Sequence, residues 1–327
     1  MFINITYFNE SQNITDILMN ETNNKYYLFS KIVSYISLAI ILLAVIGNTA
    51  SFIIFRFNEE MKKMPSMIVL SFVCITDTAS LFTWNLDKFT TENFRFHLEY
   101  LNIHTCKFFL FLQFFSLQSS GFLLGFVCID RYFTIISFPG SFYKKLPFGT
   151  IKSATIWSTS IVSVIFLLNS YMLILDRKPD DPSTPIFEVC YDLSNGFSIY
   201  ESWEKIHILL YCLIPSSLMI IFNLLIIKKV TSVEDKFSSN RRKKTALTIS
   251  LLSITSLFVF MTLPATIVYG FFPNHFSNVL LKNVQKLIDH LSFLNRASLF
   301  INCFLTNANF RKIVINVFSK SKSRYMK

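Results

Sequence analysis

Glycine and charged residues are both scarce in this chain. It has 7 Gly in 327 residues, and Asp, Glu, Lys and Arg together make up 16%. Soluble domains carry about 25% charged residues, so the composition excludes an ordinary soluble protein and indicates one embedded in a membrane. The shortage of glycine disfavours transporters and channels, because their broken, closely packed helices use many small residues. A cleavable signal peptide has a basic start followed by an apolar stretch. The start of this chain is polar and lacks that pattern, so we expect no cleavable signal peptide.

Long apolar runs, in contrast, are abundant. Hydrophobic residues make up 52% of the chain, and 37 residues are Phe. Seven runs are long enough to cross about 30 Å of hydrocarbon as helices. The predicted fold is therefore an all-α membrane protein, a bundle of seven transmembrane helices. The predicted spans, numbered one to seven, cover residues 31–57, 66–86, 105–137, 152–175, 205–228, 245–272 and 284–305.

The distribution of basic residues predicts the orientation of these spans. Of the 31 Lys and Arg, 20 fall in the loops after spans one, three and five and in the tail, against 10 on the opposite side. Because cytoplasmic loops are enriched in Lys and Arg, the tail is expected inside and the amino terminus outside the cell. We therefore expect a multi-pass plasma-membrane protein with an extracellular segment 1–30, a seven-transmembrane domain 31–305 and a cytoplasmic segment 306–327.

Two further patterns agree with this orientation. Four glycosylation sequons lie on the predicted outer side, at Asn4, Asn9, Asn13 and Asn20. Cys106 and Cys190 also fall on that side, where an oxidising environment favours a disulfide between them. The other four cysteines fall within predicted spans and are expected to be buried apolar side chains: Cys74, Cys128, Cys212 and Cys303.

Several motifs at consistent spacing make the chain similar to rhodopsin-like G-protein-coupled receptors. The strongest is the sequence "DRY" near the end of span three, with Cys106 at the start of the same span. The resemblance covers nearly the whole chain and is greatest to the peptide-receptor branch. It implies that an extracellular ligand activates a heterotrimeric G protein inside the cell. The matching residues are Gly47, Asn48, Asp77, Cys106, Asp130, Arg131, Tyr132, Trp157, Pro215 and Pro264.

The sequence departs from the family pattern at three places. The tryptophan two residues before the proline of span six is Thr262 here, and the NPxxY signature of span seven becomes "LFINC", Leu299 to Cys303. The acidic residue that would hold the DRY arginine from span six corresponds to Lys244. These changes affect the usual activation machinery rather than the fold.

The resemblance assigns Asp130, Arg131 and Tyr132 to G-protein coupling. It implies that Asp130 holds Arg131 at rest, whereas a simpler interpretation is an arginine that extends to the membrane edge. With Lys244 repelling Arg131, the resting state is expected to be weakly held and to signal without ligand.

Arg296 lies near the middle of predicted span seven. An unpaired guanidinium there would carry a large desolvation penalty, so it needs a partner. The resemblance places Asp77 opposite, where family members commonly bind sodium with groups at the positions of Ser120 and Asn295. A buried Asp77–Arg296 pair could replace that ion.

Other residues bear on the same pair. Hydrogen bonds from Ser120 or Asn48 would make the buried charges tolerable. The alternative partner for Arg296 is Asp289, seven residues back on the same helical face and about 10 Å along the axis. Both possibilities remain open from sequence alone.

The ligand pocket is inferred from the resemblance. Gln113 stands where amine receptors carry Asp, and Phe293 stands where opsins carry the retinal-bearing Lys, so neither class is expected. Two carboxylates in an aromatic cleft would suit a ligand with a guanidinium, an amine or a C-terminal amide, although acids at helix ends are often only solvated. His207 alone fits an ordinary interfacial histidine better. The expected pocket consists of Asp87, Gln113, His207, Tyr211, Tyr269 and Asp289.

The tail predicts a short amphipathic helix on the inner leaflet, in contact with membrane lipid. Its apolar face would contain Phe310, Ile313, Val314, Val317 and Phe318.

The principal functional hypothesis is a receptor for a neuropeptide-like extracellular ligand that activates a heterotrimeric G protein. The first alternative is a chemosensory receptor for small molecules on the same fold, and the second is a membrane enzyme or transporter. The chain shows no HExxH, no paired catalytic acids and no Cys/His metal spacing. We therefore expect no enzymatic activity, no cofactor, no metal and no nucleic-acid partner.

Overall fold

The computed structural model describes residues 4–136, 149–174, 192–193, 197–198, 204–231, 239–271 and 279–325. Six helical segments in these ranges are long and apolar enough to cross a membrane. A seventh, interrupted at Ser298, packs against spans one and six and completes the bundle. The predicted all-α seven-helix fold is confirmed.

The spans are built from one or two helices each. Span one lies in α1 (Asn4–Phe57), span two consists of α2 (Pro65–Leu81) and α3 (Trp84–Phe94), and span three is α4 (Ile103–Ile136). Span four consists of α5 (Ile151–Asn169) and α6 (Tyr171–Ile174). Span five runs through α7 (Glu204–Ile208), a π-helical turn (Leu209–Leu213) and α8 (Ile214–Thr231). Span six is α9 (Ser239–Phe271), span seven is α10 (Val279–Ala297) with α11 (Leu299–Thr306), and the C-terminal helix is α12 (Ala308–Tyr325).

Short elements connect the spans. A single 3-10 turn, Met61–Lys63, joins α1 to α2. Two strands, β1 (Asp192–Leu193) and β2 (Phe197–Ser198), pair antiparallel between spans four and five, with Asp192 opposite Ser198.

Two spans differ from the apolar pattern that predicted them. The helix of span one begins at Asn4, although its candidate membrane-spanning part is Leu28–Phe57. Span two changes direction at Thr83, whose φ of −83° and ψ of −93° leave the helical region. It then continues to Phe94, beyond the predicted end at residue 86. The part of span two that follows this bend contains Asp87 and Lys88, and Lys88 contacts Asp289 of span seven.

Aromatic side chains hold α12 against spans one and seven. Phe310 is fully buried, with its ring centroid 5.7 Å from that of Phe55 and 5.5 Å from that of Phe300. Burying one such ring contributes roughly 1.5–3 kcal/mol. The side-chain oxygen of Asn307 accepts from the backbone N–H groups of Asn309 and Phe310, which caps the start of α12. Arg311 is exposed, as expected for the polar face.

Candidate functional site

Arg296 is the largest fully buried side chain among the described residues, with no exposed surface. Its Nη1 lies 2.7 Å from Oδ1 of Asp77 and 2.6 Å from Oγ of Ser120. The guanidinium therefore bridges span seven to spans two and three in the bundle interior. A buried charge of this kind is tolerated because its partner is within hydrogen-bonding distance.

Two aromatic rings surround the same guanidinium. Its carbon Cζ lies 5.3 Å from the ring centroid of Tyr211 in span five and 5.1 Å from that of Phe258 in span six. Both distances are within the range of a cation–π interaction. Arg296 thus contacts side chains from four other spans at a single point.

The remaining edge of the guanidinium lacks a protein acceptor. Nε and Nη2 of Arg296 are buried and make no hydrogen bond to the described part of the chain. A buried donor left without an acceptor costs about 1–3 kcal/mol.

Asn48 and Asn295 support the backbone around this pair. Nδ2 of Asn48 donates to the carbonyl oxygen of Arg296 at 3.1 Å and to Oγ1 of Thr78 at 3.0 Å. The carbonyl of Asn295 accepts from the backbone N–H of Ser298 at 3.1 Å and from its hydroxyl at 2.7 Å. These bonds lie where span seven is interrupted, so the break fixes the direction of the Arg296 side chain. Asn48 thus contacts the Arg296 backbone, while Ser120 contacts its guanidinium.

The alternative partner of Arg296 lies elsewhere. Oδ2 of Asp289 is 3.3 Å from Nζ of Lys88 in the outer part of span two. The bend at Thr83 brings this lysine against span seven. The sequence allowed Asp77 or Asp289 as the partner of Arg296, and in the structure Arg296 contacts Asp77.

The second predicted pocket carboxylate also has partners within the chain. Oδ2 of Asp87 lies 3.3 Å from Nδ1 of His97, and Oδ1 accepts from the backbone N–H of Glu99 at 3.1 Å. Both carboxylates of the expected pocket therefore already have partners within the chain. Sequence reasoning missed Lys88 and His97, although Lys88 directly follows Asp87 and was a visible signal.

His207 belongs to a buried polar chain rather than to an interface with lipid. Its Nδ1 lies 3.1 Å from Nε2 of Gln118, whose Oε1 accepts from Nδ2 of Asn169 at 2.8 Å. The chain joins spans five, three and four. Since the amide nitrogen of Gln118 is a donor, Nδ1 of His207 is the acceptor and the neutral ring carries its proton on Nε2. Gln118 and Asn169 were missed from sequence, although amides inside apolar runs mark buried networks.

Tyr211 connects this chain to Arg296. Its ring stacks on His207 at 5.3 Å with an interplanar angle of 9°, and its hydroxyl lies 3.3 Å from Oγ of Ser292. It lies in the π-helical turn of span five, a type of irregularity that occurs often at functional sites. Gln113 is half-buried in span three, and the side chain of Tyr269 lies outside the described residues.

The backbone at this turn lies very close to span three. A Cβ added to Gly121 would be 2.7 Å from the carbonyl oxygen of Tyr211 and 3.3 Å from Cγ of Pro215. Only glycine permits this approach. The position of Tyr211 over Arg296 therefore depends on a glycine in another span.

The DRY residues form a compact group near the C-terminal end of span three. Oδ2 of Asp130 accepts from Nε and Nη2 of Arg131 at 2.9 and 2.6 Å and from the hydroxyl of Ser66 at 2.8 Å. Arg131 is 7% exposed, so it is folded inward rather than extended towards the membrane edge. Tyr132 packs on Phe222 of span five at 5.5 Å. The side chain of Lys244 lies outside the described residues.

The predicted outer-side modifications fall largely outside the described part of the structure. Cys106 is fully buried at the start of α4, and Cys190 is not among the described residues. Asn4, Asn9, Asn13 and Asn20 lie in the first part of α1, whose side chains are not described. The disulfide and the glycosylation therefore remain predictions.

The bundle of long apolar helices defines a multi-pass membrane protein. The chain matches the sequence model of the family described as "7 transmembrane receptor (rhodopsin family)" over residues 47–305, and it belongs to that family. This is a family of receptors and not of enzymes. No curated protein matches the chain closely enough to count as a relative.

Proposed function

We propose that this protein is a plasma-membrane receptor that binds an extracellular, peptide-like ligand and activates a heterotrimeric G protein. The observation that carries the proposal is the buried Asp130–Arg131 pair at the cytoplasmic end of span three, in a chain of the rhodopsin family. In this arrangement Arg131 is held inside the bundle at rest. Its release would present a cation to the C-terminal helix of the G-protein α-subunit.

The ligand class follows from the outer half of the bundle. Asp87 and Asp289 lie there beside basic side chains of the receptor itself. A guanidinium or an amine of the ligand would bind by replacing Lys88 or His97 at these carboxylates, and the freed base would remain near the ligand's acceptor groups. A peptide with a basic side chain and an amidated end has both kinds of group. His207, Gln113, Tyr211 and Tyr269 complete the proposed pocket.

The proposed orientation places the amino terminus outside the cell. It is supported by the distribution of Lys and Arg and by the sequons at Asn4, Asn9, Asn13 and Asn20. A disulfide between Cys106 and Cys190 would fasten the loop between spans four and five to the start of span three. That loop contains several acidic residues and would attract a basic peptide by long-range electrostatics.

The centre of the bundle is proposed to work without sodium. A carboxylate and a hydroxyl, Asp77 and Ser120, are both bonded to Nη1 of Arg296. A cation placed between them would be repelled by the guanidinium. Arg296 is therefore proposed to replace the ion as a permanent part of the receptor.

A ligand screen in cells tests the proposed function. Cells that express the receptor would be exposed to a library of amidated peptides, with calcium and cyclic AMP as readouts. The control is Arg131→Ala at matched surface expression, which keeps the outer pocket and removes the coupling cation. We expect at least one basic peptide to give a response that Arg131→Ala abolishes. A receptor that responds only to small neutral odorants would support the chemosensory alternative and contradict the peptide proposal.

A further inference from the structure

Span six is attached to its neighbours at two points in the cytoplasmic half of the bundle, through uncharged side chains. Nδ2 of Asn223 in span five donates to Oγ1 of Thr255 in span six at 3.0 Å. Oγ1 of Thr306 in span seven lies 2.8 Å from Oγ of Ser250 in span six. Ser250 and Thr255 are each 1% exposed, so both contacts are shielded from competing water.

The two contacts lie on different sides of span six. Ser250 and Thr255 are five residues apart, which corresponds to about 140° around an α-helix and about 7.5 Å along it. One contact faces span five and the other faces span seven. Neither a rotation nor an outward tilt of span six could preserve both.

The contact with span five continues into span three. Sγ of Cys128 donates to Oδ1 of Asn223 at 3.4 Å, and Cys128 is only 2% exposed. Cys128 lies two residues before Asp130 in the same helix. The Asn223–Thr255 contact is therefore linked to the helix that carries the DRY residues.

We infer that Ser250, Thr255, Asn223 and Thr306 form a hydroxyl–amide latch that holds span six in its resting position. This inference rests on the proposed function, because it describes how the resting state of that receptor is maintained. The latch needs no acidic residue at the position of Lys244. Neutral hydrogen bonds in a dry interior replace an ion pair there. From the sequence, repulsion by Lys244 was expected to leave the resting state weakly held; the latch holds it more firmly than that.

Cys128 provides an intrinsic probe for the latch. It is buried behind Asn223, so a polar thiol reagent reaches it only when span six moves away from spans three and five. The full-length receptor, reconstituted in lipid nanodiscs, would be treated with a water-soluble maleimide. Mass spectrometry then gives the labelling rate at Cys128 and, as an internal control, at buried Cys74 in span two.

Ser250→Ala is the decisive variant because Ser250, within the described part of the chain, makes no hydrogen bond to Asn223 or Cys128 and instead contacts Thr306 of span seven. We expect it to raise the labelling rate of Cys128 about fivefold, the factor that corresponds to one net hydrogen bond. Thr255→Val should raise this rate by a similar factor. The double variant should raise it roughly 25-fold if the two contacts act independently. Thr255→Ser keeps the hydroxyl and should behave like the unmodified receptor.

Thr266→Val is the matched control, since Thr266 in the same helix is buried and, among the described residues, bonds only to the carbonyl of Thr262 at 3.0 Å. It should leave the Cys128 rate unchanged. An unchanged Cys128 rate in Ser250→Ala, or an equal rise at Cys74 that reveals general loosening, would overturn the inference. The assay contains neither ligand nor G protein, so its failure is distinguishable from failure of the proposed function.

Discussion

The Asp77–Arg296 pair makes a quantitative prediction about stability. Removing one member leaves the other charge buried without its partner, and such changes cost about 3–5 kcal/mol. Both groups are nearly inaccessible, with side-chain exposures of 4% for Asp77 and 0% for Arg296, so water cannot compensate for the loss. Asp77→Asn and Arg296→Leu should therefore each destabilise the receptor strongly.

The double variant should be less damaging than either single variant. It removes both charges at once, and replacing a buried ion pair by uncharged side chains is often neutral. A domain of 150–250 residues loses roughly 2–4 °C in melting temperature for each kcal/mol. We therefore expect each single variant to melt on the order of 10 °C lower, with reduced surface expression, and the double variant to recover most of that loss.

Thermal unfolding of the purified receptor in detergent, together with surface labelling in cells, measures this effect. An exposed ion pair provides the matched control: Nζ of Lys62 lies 2.6 Å from Oε1 of Glu59, but the side chains are 39% and 76% exposed. Lys62→Gln should change the stability by less than about 1 kcal/mol. If the double variant of Asp77 and Arg296 is less stable than both single variants, the pairing does not stabilise the receptor and the reasoning is refuted.

Three further outcomes follow from the same structure. Gly121→Ala should lower the melting temperature and disturb ligand binding, because its methyl group would lie 2.7 Å from the carbonyl oxygen of Tyr211. Gly125→Ala is the control and should be tolerated, since the nearest atom to its methyl group would be 3.8 Å away. Equal melting curves for the two variants would contradict this close approach. Replacing sodium chloride by choline chloride should leave the melting temperature unchanged, because Arg296 is proposed to replace the ion; a clear stabilisation by sodium would disprove that role. Asn307→Ala should lower the free energy of unfolding by about 1 kcal/mol, because it removes the cap of α12. Denaturation in detergent measures this change, and an unchanged stability would show that the cap is dispensable.

The sequence predicted the bundle because hydrocarbon thickness restricts helical spans to long apolar runs. It also predicted that Arg296 needs a carboxylate partner, since a guanidinium in an apolar run carries a large desolvation penalty, and it left Asp77 and Asp289 as the two candidates. The position of Asp77 came from the family resemblance. The free-energy cost of burying an unpaired guanidinium was large enough to predict a partner without coordinates.

Features that depend on local backbone geometry were not predictable in the same way. The bend at Thr83 brings Lys88 to Asp289, and no periodicity in the apolar pattern marks it. The π-helical turn at Tyr211 depends on the packing of span five against Gly121. Such irregularities move a side chain around the helix, so reasoning from regular helices could not predict that Lys88 lies beside Asp289.

The latch residues were missed for another reason. Ser250 and Thr255 are small polar residues of a kind that often bonds only to the preceding turn of its own helix. Thr255 does bond to the carbonyl of Leu251 at 3.0 Å, and its cross-helix contact with Asn223 becomes visible only when both spans are placed. A serine that bridges two helices and one that does not look the same in a sequence.

The most direct test of the central claim is an experimental density map of the receptor at the level of Arg296. The account predicts density for the guanidinium between spans two and seven, with Nη1 about 2.7 Å from the carboxylate of Asp77 and no cation beside it. A map in which Arg296 turns towards Asp289, while a sodium ion is bound at Asp77, would contradict it.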